Sequence, residues 1–130
     1  MHDIILLTAR VIMGGCFVVW GIMKLRGGEA KLVPVLTAMG LPDATALAYL
    51  VGVCELLGGL CVLLGYPLAT VSVLLGIWCV VTALVAHRAD TNQLLAHITM
   101  FGGFLALAAA GPGRLALFGG APSGAFALLP

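Results

Sequence analysis

The stretch ATALAYLVGVCELLGGLCVLL, residues 44–64, decides the fold. It is apolar from end to end and long enough to cross a bilayer core, which takes about 20 residues at 1.5 Å of rise each. Its single charged residue, Glu55, sits near its middle. A charge at that depth costs at least ~2.5–3.5 kcal/mol, so such a residue faces the bundle interior and finds a partner there.

Working outward, three more stretches read the same way. They run over about residues 4–25, 68–86 and 94–110. Gly65-Tyr66-Pro67 makes a tight turn after the second span, His87-Arg88-Ala89-Asp90 breaks the third from the fourth, and Gly111-Pro112-Gly113 stops the fourth. Loops this short force antiparallel neighbours. The expected fold is all-α: one domain over residues 1–130, a polytopic membrane four-helix bundle. Residues 31–39 mix one charge with apolar residues and are too short to span. They read as a short interfacial helix between the first and second spans, with Pro34 near its start and a re-entrant piece as the alternative. Asp43 and Asp90 are placed to cap the second and fourth spans, and Gln93 completes a capping box with Asp90.

Composition agrees. Of 130 residues, 62% are hydrophobic and 8% charged, and the mean hydropathy is +1.21. A soluble domain needs more polar surface than this. The net charge of +1 gives no electrostatic footprint for nucleic acid. The bilayer is the first partner implied. Met1-His2-Asp3 lacks the basic start of a secretory signal, so the first apolar run reads as a retained helix. Lys24, Arg26 and Lys31 flank the first loop and Arg88 lies in the third, against Arg114 on the other side. That bias predicts both termini outside and loops one and three in the cytoplasm.

Spacing predicts the inward stripes: Arg10, Gly14, Phe17, Gly21 and Lys24 in the first span, and Ala48, Gly52, Glu55, Gly59 and Val62 in the second. The third offers Ser72, Gly76, Cys79, Ala83 and His87; the fourth Asn92, Ala96, Thr99, Gly103, Ala106 and Ala110. The Gly58-Gly59 and Gly102-Gly103 pairs hint at a duplicated helical hairpin.

Arg10, Lys24, Glu55, His87 and His97 are the candidate site residues. Arg10 lies roughly 10 Å in from the terminal side and Glu55 roughly 15 Å, so an Arg10–Glu55 ion pair is expected. It would serve as a register lock, as the floor of a polar pocket or as a proton-accepting carboxylate. Lys24 reads as snorkelling to the headgroups. His87, His97 and Glu55 have the residue types of a two-histidine, one-carboxylate metal set. They come from three helices with no motif spacing, and no metal is expected there. Trp20 and Trp78 read as belt or packing residues, with stacking on a flat ligand such as a quinone as the alternative. Cys16, Cys54, Cys61 and Cys79 all lie in apolar runs without a C-x-x-C pair and read as small hydrophobes.

These segments resemble the DoxX family. The likeness lies in Ala9-Arg10 and Trp20-Gly21-Ile22-Met23-Lys24-Leu25 in the first span, Met39-Gly40-Leu41-Pro42 before the second, and Glu55-Leu56-Leu57-Gly58-Gly59 and Leu64-Gly65 within and after it. It continues in His87 and in Gly111-Pro112-Gly113-Arg114. The family pattern often continues with a serine and an acidic residue, where this chain has Ala116, Leu117 and Phe118. The resemblance implies a small bacterial-type inner-membrane protein tied to membrane redox work, as in a thiosulfate:quinone oxidoreductase subunit or an oxidative-stress complex. The leading expectation is an accessory subunit of a redox, respiratory or oxidative-stress assembly, with other membrane subunits or a second copy as partners. The alternatives are small-molecule or ion binding or transport at the Arg/Glu/His site, and a quinone-linked oxidoreductase subunit. No cysteine pair, flavin motif or haem signature names a cofactor, and whether the chain is an enzyme stays open.

Overall fold

A computed structural model describes residues 1–117; the uncharged tail from Phe118 onward lies outside the described residues. Five α-helices follow in order: α1 (His2–Met23), α2 (Glu29–Ala38), α3 (Ala44–Leu64), α4 (Leu68–Ala86) and α5 (Thr91–Ala110). A wide turn, Lys24–Gly28, joins α1 to α2 and is bent at Gly27, whose φ of 112° suits glycine. Four helical segments are long and apolar enough to cross a membrane: His2–Gly28, α3, α4 and α5. The second and third spans coincide with the residues expected for them. The fourth begins three residues early, because the Asp90 carboxylate accepts from the Asn92 and Gln93 amides at 3.0 and 3.2 Å.

Three local expectations need correction. Asp90 caps α5, but its own amide donates to the His87 carbonyl at 3.0 Å, so Gln93 has no amide to close the capping box. Asp43 precedes α3 in a left-handed conformation, φ 53°, and its side chain caps nothing. Aspartate tolerates that conformation, yet it turns the carboxylate away from the first-turn amides. Pro34 lies inside α2, which starts at Glu29, earlier than expected, so the helix forgoes one internal hydrogen bond.

The helices pack most closely as α1 with α3 and α4 with α5. Glycine sets the first contact. A Cβ added to Gly14 would fall 2.7 Å from the Gly59 carbonyl oxygen, and one added to Gly21 would fall 2.5 Å from the Leu56 nitrogen. Backbone therefore touches backbone, the arrangement small residues permit where lipid gives helices no hydrophobic drive to associate. The second contact is a ring in a notch: Phe101 and Phe104 of α5 lie against Gly76 of α4. Phe17 meets Phe104 edge-on at 5.2 Å and joins the two pairs.

The inward stripes of α1, α3 and α4 are those the spacing predicts, Arg10, Glu55 and Ser72 included. That of α5 is not. Asn92, Ala96, Thr99, Ala106 and Ala110 are exposed, and Phe104 and Leu107 are buried instead. The small residues needed for close approach are supplied by α4, so α5 turns its large ones inward. The glycine pairs do not act alike either. Gly59 lies against the α1 backbone, whereas Gly102 faces open space and Gly103 meets only the end of Met13.

Candidate functional site

Two polar clusters form, one at each end of the bundle, and the expected Arg10–Glu55 pair is absent. The Cα–Cβ bond of a helical residue tilts toward its own N-terminus. Arg10 therefore reaches back toward the terminal end. Lys24 on α1 and Glu55 on antiparallel α3 reach toward each other.

At the terminal end, Arg10 is 1% exposed. Its guanidinium donates to the Leu115 carbonyl at 2.9 Å and, at a longer 3.5 Å, to the Leu63 carbonyl at the end of α3. No carboxylate meets it among the described residues. Its surroundings are the last carbonyls of a helix, which carry partial negative charge.

At the other end, Lys24 Nζ donates to Glu55 Oε2 at 2.5 Å, and Trp78 Nε1 donates to Glu55 Oε1 at 2.9 Å. Both carboxylate oxygens are thus engaged, and Lys24 does not snorkel outward. The Lys24 ammonium keeps two further donors. The trio forms the floor of a cavity of about 430 Å³. Phe17 and Trp20, edge-on to each other at 5.3 Å, form one wall, and Leu32 and Val35 of α2 another. His87, Gln93 and His97 line the same cavity where α4 ends and α5 begins. The two histidine rings stack with centroids 4.7 Å apart.

Of the five candidate site residues, the structure brings Lys24, Glu55, His87 and His97 to this cavity and leaves Arg10 at the far end. His87, His97 and Glu55 do not form a metal set: among the described residues no group of three or more His, Cys, Asp or Glu is placed to hold an ion. Trp78, which reads from sequence as a belt or packing residue with stacking on a flat ligand as the alternative, lines the cavity, and so does Thr82, which the sequence does not single out. The signal was their spacing of four, which puts both on one face of α4.

The ion pair yields a direct test. Lys24→Met and Glu55→Gln should each destabilise the fold, and a double-mutant cycle on thermal stability should show coupling, of order 1 kcal/mol because Lys24 is partly solvated. Arg10 and Glu55, by contrast, should behave additively. The reverse pattern would contradict this placement of the two clusters.

Burial holds the His87 imidazole below its ordinary value, the neighbouring His97 lowers it further, and Asp90 opposes both. A histidine harder to protonate when folded binds fewer protons than when unfolded. Its contribution is complete above the unfolded value near 6.5 and is lost as pH falls below it. The melting temperature should therefore drop on acidification through that range, and less so in His87→Asn. A melting temperature that rises on acidification would contradict the assignment.

Among the described residues, an all-helical bundle with four apolar spans, and at one end a largely apolar cavity floored by an ion pair, defines a multi-pass membrane protein. The chain belongs to the DoxX family, whose model matches residues 5–88. It is 30% identical over 122 residues to "Inner membrane protein YqjF" of Escherichia coli (strain K12), covering 90% of this chain and 92% of that protein. No solved structure gives a significant match. The chain is accordingly a multi-pass inner-membrane protein.

Proposed function

We propose that this protein is a ligand-binding accessory subunit of a membrane redox or oxidative-stress assembly, and that its cavity holds the head of a lipid-soluble ring compound of the quinone class. The observation that carries this reading is the cavity. Its volume, about 430 Å³, is that of a small-molecule site. Phe17, Trp20 and Trp78 offer faces and edges for a flat ring. With the Glu55 oxygens engaged by Lys24 and Trp78, the remaining Lys24 protons give the floor donors for ring oxygens. The loop charge bias supports a cytoplasmic orientation of this end.

Transport receives less support. Along α1, the inward residues between Arg10 and Lys24 are Gly14, Phe17 and Gly21, so no polar path joins the two clusters on that stripe.

Among the described residues the four cysteines are unpaired, so no disulfide-forming thiol pair serves as an electron carrier. Isolated protein should therefore bind quinone without reducing it from thiosulfate or thiols. Calorimetric titration of a short-chain benzoquinone into protein in lipid nanodiscs, against empty nanodiscs, tests the binding. Saturable heat that weakens in Trp78→Phe and Glu55→Gln is expected. Heat no greater than that of empty nanodiscs would refute the reading.

A further inference from the structure

His97 is tied to its own helix. Its Nδ1 lies 2.8 Å from the Gln93 carbonyl oxygen, one turn back. A carbonyl only accepts, so Nδ1 carries the proton, and in the neutral ring Nε2 carries a lone pair. With Nδ1 committed to the backbone, the Nε2 edge is the one left for the cavity that His97 lines. No hydrogen bond joins it to His87 among the described residues; the two rings stack, tilted by 33°.

Thr82 is anomalous in a second, independent way. A helical threonine ordinarily donates to the carbonyl four residues back. Thr8, Thr37 and Thr99 all do so here, at 2.8, 2.9 and 2.9 Å. Thr82 Oγ1 is buried, lines the cavity and has no partner among the described residues. A hydroxyl in that state is left for a ligand.

We infer that the cavity is specific for a hydroxyl-bearing ring, a phenol or quinol, over the matching carbonyl or ether: the ligand hydroxyl donates to His97 Nε2, and Thr82 and Lys24 donate to ligand oxygens. This rests on the reading of the cavity as a ligand site and names the chemical form it takes. A quinone carbonyl brings only a lone pair to the His97 lone pair, and a site with a committed acceptor disfavours a ligand that cannot donate.

The test is calorimetry in nanodiscs with two probe pairs: a short-chain quinol, kept reduced without oxygen, with its quinone, and a phenol with its methyl ether. At about pH 8 the hydroxyl member of each pair should bind about tenfold tighter, the effect of one added hydrogen bond. His97→Phe should bind the two members of each pair equally. Equal affinities for quinol and quinone at about pH 8 would overturn the inference and leave the quinone-class reading standing. Binding of the phenol over its ether, with neither quinone nor quinol bound, would uphold the inference and refute the quinone class. Binding by none of the four would overturn both.

Discussion

Alanine at Gly21 should force α1 and α3 apart and lower stability by about 3 kcal/mol, the upper end of ordinary overpacking. The added Cβ would fall 2.5 Å from the Leu56 nitrogen, 2.7 Å from the Gly52 carbonyl oxygen and 2.8 Å from the Leu56 Cα. All three are backbone atoms of α3, so no side-chain rotation relieves the clash and a helix must move. Gly102 is the control. It is also mid-helix and gains the same helix propensity on becoming alanine, but a Cβ there meets nothing within 4 Å. Thermal unfolding in mild detergent should show Gly21→Ala melting well below wild type and Gly102→Ala at or above it. Equal shifts would mean that the α1–α3 contact is looser than this. Because Gly21 lies one turn before Lys24, the first variant should also weaken any cavity ligand that leans on the Lys24–Glu55 floor.

The same contact shows how much of the fold was legible in the sequence. Apolar length located α3 and α4 to the residue, because turns with glycine, proline or consecutive polar groups bound both. Spacing found the buried faces of α1, α3 and α4, because small and charged residues on those helices recur at helical intervals on one side. It failed on α5 for a physical reason. A rule that assigns small residues to the interface cannot tell which of two facing helices supplies the notch and which the ring, and here Gly76 receives Phe101 and Phe104. The site was half legible. Glu55 had to find a partner, and it did, but matching depths favoured Arg10. The missing consideration was direction: Arg10 tilts outward and Lys24 inward, because both lie on a helix whose N-terminus is at the terminal end. The roles of Trp78 and Thr82 depend on which atoms remain unpaired once the helices are packed. No single-helix pattern carries that.

Arg10→Met should be among the most damaging single substitutions in the chain, at roughly 3–5 kcal/mol, because it removes a large buried side chain and strips carbonyls of their donor. The end of α3 shows why. The Cys61 carbonyl accepts from the Gly65 and Tyr66 amides, and the Val62 carbonyl from Gly65, which adopts φ 81° to make the turn. Two carbonyls of the last turn remain: Leu64 accepts from the Leu117 amide at 3.1 Å, and Leu63 accepts from Arg10. Arg10 also holds the Leu115 carbonyl, and the Asp3 carboxylate takes the Arg114 amide at 2.9 Å. The segment after α5 is thus strapped across the end of α3, and the guanidinium fork ties strap to helix. Without it those part-buried carbonyls lose their donor. Lysine should not rescue, because a single ammonium point does not reproduce a planar fork that serves two carbonyls. Asp3→Asn, which leaves the fork intact, should cost little. Unfolding in mild detergent gives the stability, and proteolysis within residues 111–117 gives the strap, which should become cleavable in Arg10→Met while Asp3→Asn stays protected. A stable Arg10→Met protein with a protected strap would show that α3 ends some other way, and would return Arg10 to the set of residues in search of a function.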